Sequence, residues 1–143
     1  MERVTVPVAG RSYDVTIGTG VVSDAAAHLP DLAPATRAFI VADQAVAPVW
    51  LPPLEASLST RGLHAVPLAV PSGEAAKTLQ VYGNLLHQLA SQEAHRDDVV
   101  VALLVGVCLG RNAEQVVVKR RAHIQCDRVE AGKVENRSKE SHT

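Results

Sequence analysis

Ala38-Phe39-Ile40-Val41-Ala42-Asp43 is the stretch on which the fold turns. Five apolar residues follow one another without a polar break, and the run ends on a carboxylate. A run that does not alternate suits a strand buried on both faces, as in parallel sheets. Two further runs share this character: Ala65–Val70, and Val99-Val100-Val101-Ala102-Leu103-Leu104-Val105. Helical patterns separate them. Trp50–Arg61 predicts a helix whose first turn tolerates Pro52 and Pro53, with Gly62 just past its end. Thr78–Ala94 predicts the clearest helix, with Leu79, Tyr82, Leu85, Leu86 and Leu89 on one stripe that should pack on the strands. The order β-α-β-α-β predicts a Rossmann-like parallel sheet, wound right-handed and here incomplete.

Outward from this unit the patterns change. Val4, Val6 and Val8 alternate with other residues, and so do Tyr13, Val15 and Ile17. With Ala9-Gly10-Arg11-Ser12 as the turn, these predict an N-terminal β-hairpin. Gly18-Thr19-Gly20 breaks the second strand, and Val22–Leu29 predicts a short helix ended by Pro30. All eight prolines lie at or before Pro71. Up to Val118 the chain has 7 basic and 11 acidic residues; from Lys119 to Thr143 it has 7 basic and 4 acidic. The small, scattered apolar residues of that last segment fit neither a helical stripe nor a long strand. We therefore divide the chain into a domain over 1–118 and a weakly ordered polar tail over 119–143.

Composition excludes several classes. With 143 residues and 47% hydrophobic content the chain can bury a core. A net charge of −1 argues against nucleic-acid or anionic-membrane binding by bulk charge. No apolar run reaches the 18 or so residues of a membrane span, and Met1-Glu2-Arg3-Val4 does not open a signal peptide. Cys108 and Cys126 make no disulfide scaffold, so a cytosolic location is expected.

In an open parallel sheet, ligands bind beyond the carboxyl ends of the strands. Three segments must share that edge. Asp43 follows the first buried strand and can accept hydrogen bonds from ribose hydroxyls. Pro71-Ser72-Gly73-Glu74-Ala75-Ala76-Lys77-Thr78 follows the second, a glycine turn opening a helix, with Lys77 able to reach an anion. Gly106-Val107-Cys108-Leu109-Gly110 follows the third. Each has an ordinary structural account as well. Asp43 can cap the next turn, and Glu74 and Lys77, three residues apart, can pair with each other in solvent.

The residues Arg11–Gly18, Val41-Ala42-Asp43, Pro71–Thr78 and His95–Leu103 resemble, in order and spacing, the N-terminal domain of 3-dehydroquinate synthase. The resemblance covers roughly Met1 to Val107. It implies a homodimeric cytosolic enzyme of the shikimate pathway, in aromatic amino acid biosynthesis. That family converts 3-deoxy-arabino-heptulosonate 7-phosphate to 3-dehydroquinate and phosphate, a carbon–oxygen lyase reaction using NAD catalytically and a divalent metal, zinc or cobalt. By resemblance Asp43 would hold the adenosine ribose, and Ser72, Gly73, Glu74, Lys77 and Gly106 would belong to the NAD site.

The departure follows at once. Where the family carries Gly-Gly-Gly-Val-Val-Gly-Asp, this chain reads Leu104-Val105-Gly106-Val107-Cys108-Leu109-Gly110. Side chains at Leu104 and Val105 occupy space that glycines leave open for a pyrophosphate. The family's metal ligands and substrate-binding residues have no counterparts, so no catalytic or metal residue is assigned. The expectation is a truncated or frameshifted form, inactive alone, that binds NAD weakly. Two other readings stand beside it. One is a non-catalytic remnant that binds a partner through its hairpin or through an open sheet edge after Val105. The other is a glycerol- or iron-alcohol-dehydrogenase-like oxidoreductase, which the Ser72–Thr78 segment disfavours. His123-x-x-Cys126-Asp127 offers one short pair where a zinc site needs four ligands. Lys119-Arg120-Arg121 is too short for a nucleic-acid patch.

Overall fold

The computed structural model describes residues 1–10, 12–105 and 114–119, with only the backbone for Val105 and for 114–119. An antiparallel hairpin opens the chain, β1 (Glu2–Val6) with β2 (Tyr13–Ile17). A short helix α1 (Ala25–His28) follows, then β3 (Arg37–Asp43), α2 (Ala47–Ser59), β4 (His64–Val70), a 3₁₀ turn (Gly73–Ala76), α3 (Leu79–Ser91), β5 (Val99–Val105) and β6 (Glu114–Lys119). The main sheet has the order β4-β3-β5-β6. β3 is parallel to both β4 and β5, with Ile40 opposite Pro67 on one side and Val101 on the other. The three apolar runs of the sequence are thus the three parallel strands.

β3 is central, and its residues are buried on both faces as the uninterrupted apolar run requires. Ala38, Ile40 and Ala42 share one face with Val99, Val101 and Leu103, and pack with Leu54 and Leu58 of α2. Ile40, Leu54, Leu58 and Val101 have almost no exposed surface. Burying each aliphatic side chain contributes about 1.5–3 kcal/mol, so this layer holds the domain together. The opposite face carries Arg37, Phe39 and Asp43 and lies toward α3.

Several boundaries and contacts differ from expectation. α2 begins at Ala47, because the Val46 carbonyl accepts from the N–H groups of Val49 and Trp50. Pro48 therefore occupies the first turn, and Pro52 and Pro53 lie inside the helix. Each lacks the N–H that would bond four residues back. The carbonyls left over belong to Pro48 and Val49, which are exposed and open to water. The helix expected over Val22–Leu29 is helical only at Ala25–His28.

α3 packs less deeply than its stripe implied. Leu79, Tyr82 and Leu86 are exposed, Leu85 and Leu89 are half-buried, and no residue of the helix is fully buried. Its main contact among the described residues is with β4. The edge expected to be open after Val105 is instead paired with β6, antiparallel, with Val101 opposite Val118. Lys119 lies in that strand, whereas 120–143, with the expected polar tail and its His123, Cys126 and Asp127, lie outside the described residues. Among the described residues no helix is long and apolar enough to cross a membrane.

Candidate functional site

β3 sits between its two parallel neighbours because the first crossover leaves it for β4 and the second returns across it to β5. The direction of winding therefore reverses between β3 and β5. A crevice at the carboxyl ends of two such strands is where ligands lodge in this architecture. Asp43, the last residue of β3, stands at that point and is buried to 6% exposure.

A buried carboxylate needs hydrogen bonds to offset its lost hydration. Asp43 Oδ1 accepts from the backbone N–H of Ala45 at 2.8 Å. It also accepts from the hydroxyl of Ser72, which arrives on the loop after β4. The Ala45 N–H is shared with Ser72 Oγ at 3.2 Å. Backbone bonds from Gln44 N–H to the Val70 carbonyl, and from Val46 N–H to the Asp43 carbonyl, fix the two loops against each other. Among the described residues nothing donates to Asp43 Oδ2. One carboxylate oxygen is thus locked by the protein, and the other is open to accept from paired hydroxyls.

The structure brings Asp43 and Ser72 into direct contact. Gly73, next in the chain, has φ +67° and opens the 3₁₀ turn. That left-handed conformation suits glycine and strains other residues. Beyond it Lys77 Nζ donates to Glu74 Oε1 at 2.6 Å, and both side chains are largely exposed. The two charges face each other across one turn, so neither is spare in this arrangement. Thr78 caps α3, its Oγ1 accepting from the Val81 N–H at 3.2 Å. Gly106, with Val107, Cys108 and Gly110, lies outside the described residues.

Sequence reasoning missed the cluster at the opposite, amino edge of the sheet. Arg37 opens β3, and Asp98 immediately precedes β5. The Arg37 guanidinium donates to both carboxylate oxygens of Asp98, at 3.3 and 2.7 Å, and to the Gln92 and Glu93 carbonyls at 2.9 and 2.8 Å. The guanidinium carbon also lies 5.3 Å from the centre of the Phe39 ring. A signal existed: parallel neighbours begin on the same edge, so opposite charges just before two apolar runs can meet. Elsewhere, an open depression of about 440 Å³ between α1 and α2 is lined by Asp24, Ser57, Thr60 and Arg61, among others. Arg61 is committed there to the carbonyls of Ala26 and Leu29, tying α2 to α1. Among the described residues no group of three His, Cys, Asp or Glu side chains is placed to hold a metal ion.

Comparison with known proteins agrees with this architecture. The chain is similar to curated 3-dehydroquinate synthases: 39% identity over 107 residues with that of Paracoccus denitrificans, and 37% over 107 residues with that of Roseobacter denitrificans. The Bradyrhizobium diazoefficiens relative is 36% identical over 105 residues. The matches take in 73–75% of this chain but only 28–29% of those relatives, as a partial, N-terminal match. Among solved structures, 2-deoxy-scyllo-inosose synthase superposes with a TM-score of 0.59 at 17% identity, over 69% of this chain and 27% of that one. That similarity shows a shared fold. The structure of that synthase was determined with carbaglucose-6-phosphate, NAD+ and Co2+. No family model matches the chain.

Proposed function

We propose that this relative of the N-terminal part of 3-dehydroquinate synthase is a cytosolic nucleotide-holding module of that enzyme type, and that Asp43 receives the adenosine ribose of NAD. The carrying observation is the half-satisfied carboxylate. Asp43 is buried at the winding reversal, with one oxygen fixed by Ser72 and Ala45 and the other without a protein donor among the described residues.

The residues present fit the ribose end of such a cofactor. Asp43 Oδ2 would accept from the two ribose hydroxyls, while the Ser72 hydroxyl keeps the carboxylate from rotating. NAD, when bound, supplies a reversible hydride acceptor for oxidising and later re-reducing a substrate carbinol. Gly73 lets the loop after β4 turn sharply beside the bound group. Lys77 contributes a cation only by leaving Glu74, so its contribution to phosphate binding is small. Leu104 and Val105, where the family has glycine, weaken the pyrophosphate half. Losing two charge-assisted hydrogen bonds there, at about 1.5–3 kcal/mol each, lowers affinity by roughly 10²-fold or more. A divalent metal has no donor set among the described residues, and no step is assigned to one.

Conversion of 3-deoxy-arabino-heptulosonate 7-phosphate to 3-dehydroquinate and phosphate is the reaction this module would serve, in aromatic amino acid biosynthesis. The chain alone is expected not to turn over. Calorimetric titration of NAD into the chain and into Asp43→Ala tests the reading. Weak binding that Asp43→Ala abolishes is expected. Weak binding that the substitution leaves unchanged would remove Asp43 from the site. Tight, low-micromolar binding would show that the altered turn still cradles phosphate.

A further inference from the structure

The open depression between α1 and α2 holds about 440 Å³, within the size range of small-molecule sites. α2 runs back from the carboxyl edge of the sheet, where β3 ends, to the amino edge, where β4 begins. The last turn of α2 walls the depression together with α1, so this place lies at the other end of the sheet from Asp43.

Three polar groups there keep bonding capacity that the protein does not use. Arg61 donates to the Ala26 and Leu29 carbonyls through Nη1, at 3.1 and 2.9 Å. Its Nε–H and Nη2–H lie parallel on the other side of the guanidinium and have no acceptor among the described residues. Such a pair is the fork that grips a carboxylate through two bonds. Ser57 is only 6% exposed, and its Oγ accepts from the Ala26 N–H at 3.0 Å. The Ser57 hydroxyl proton has no acceptor among the described residues. A buried donor left unmade costs stability, so at the wall of a depression it points to an acceptor that enters from outside. Asp24, with its side chain 66% exposed, makes no side-chain hydrogen bond among the described residues and has His28 Nε2 3.7 Å away. No ion pair joins Asp24 to Arg61, so opposite charges stand apart in one depression.

We propose that this depression binds a free α-amino acid, its carboxylate on the Arg61 fork and the Ser57 hydroxyl, its ammonium on Asp24, and an apolar side chain over Ala26, Ala27 and Ala56. The charges select this class. A plain carboxylate gains Arg61 but is repelled by Asp24, and a plain amine meets the reverse. A zwitterion satisfies both. The three alanines leave space and offer only apolar surface. Arg61 is held by two carbonyls before any ligand arrives, so little side-chain freedom is lost on binding. The depression is open, which sets the affinity on the order of 1 mM. The inference does not depend on the nucleotide site, which lies on other elements.

Titration of L-leucine into the ¹⁵N-labelled chain at neutral pH, followed by amide NMR, tests the proposal. Saturable shifts should centre on residues 23–27 and 56–61. The two half-ligands, 4-methylpentanoate without the ammonium and 3-methylbutylamine without the carboxylate, should each bind at least about tenfold more weakly. Because Arg61 also ties α2 to α1, replacing it could loosen the site itself, and Asp24→Asn is the cleaner probe. It keeps the shape of an exposed side chain that makes no cap bond. Asp24→Asn should weaken leucine by about tenfold while 4-methylpentanoate binds no more weakly than before. Absence of shifts up to about 50 mM leucine, shifts centred elsewhere, a half-ligand that binds as well as leucine, or leucine affinity unchanged in Asp24→Asn would each overturn the proposal.

Discussion

Arg37→Met is the most instructive single change, because it keeps an unbranched apolar side chain at the start of β3 and removes the guanidinium together with its contact to the Phe39 ring. Four hydrogen bonds go with it, two to Asp98 and two to the end of α3. They do not weigh equally. The Gln92 and Glu93 residues are exposed, so water replaces the guanidinium at their carbonyls at little cost. The Asp98 side chain is only 9% exposed, and it keeps a single donor, the His95 N–H at 2.8 Å. Breaking a buried ion pair by removing one partner costs about 3–5 kcal/mol. The Arg37 side chain is 26% exposed, so some hydration reaches the pair, and we take about 2–3 kcal/mol. At a urea slope near ~1 kcal/mol/M for a small domain, the midpoint should fall by about 2–3 M without a change in slope. Asp98→Asn and the double variant complete the cycle. A coupling energy below about 0.5 kcal/mol would refute the claim that this pair clamps β3 to β5.

Other consequences are quicker to state. Glu93 has φ +52° at the end of α3, so Glu93→Gly should stabilise the chain by about 0.5–1 kcal/mol, seen as a higher thermal midpoint. Leu54→Ala, in the fully buried layer under α2, should cost about 2–5 kcal/mol by urea titration. Ser72→Ala leaves Asp43 Oδ1 with the Ala45 N–H alone; it should cost about 1 kcal/mol of stability and weaken nucleotide binding less than Asp43→Ala does. Pro67 lies in β4, the edge strand of the sheet among the described residues, so Pro67→Thr should raise light scattering on heating.

The parallel strands were legible because burial on both faces leaves uninterrupted apolar runs, here of strand length and set between helical patterns. Val99–Val105 ends where the sequence places it, and β3 and β4 differ by a residue at each end or at one end. α3 was legible as a helix but not in its surroundings. Its stripe says only that one side is apolar, and what covers that side depends on elements that periodicity cannot name. β6 carries a signal in Val116-Val117-Val118, three β-branched residues in a row. So short a run does not disclose whether it pairs parallel or antiparallel. At the site, the position of Asp43 past an apolar strand was readable, and so was the shared edge with Ser72. The direct bond between them was not, because it depends on the side-chain geometry of two loops. Arg37 drew no notice since a lone arginine before a strand is common; its importance comes from Asp98, 61 residues away in the chain.

The two charged clusters divide the work of the sheet. Arg37 and Asp98 lie at the amino ends of β3 and β5, and Asp43 and Ser72 lie at the carboxyl ends of β3 and β4. Seven residues of strand, roughly 20 Å at ~3.3 Å per residue, separate the edges. The amino edge is an ion pair closed on itself, with both carboxylate oxygens of Asp98 engaged and a guanidinium spanning β3, α3 and the approach to β5. Its guanidinium and carboxylate are committed to partners within the protein. The carboxyl edge is the reverse: a buried carboxylate held by one neutral hydroxyl and one backbone N–H, with its second oxygen open. A buried charge left half-satisfied costs stability, and that cost is met by the close packing of β3 and by the clamp at the far edge. Removing the Asp43 carboxylate should therefore change folding stability much less than removing the Arg37 guanidinium, since it relieves a desolvated charge as it deletes two hydrogen bonds. The separation makes the two substitutions a matched pair: one should unfold the chain more readily at unchanged ligand response, the other should abolish the ligand response in a chain that still folds.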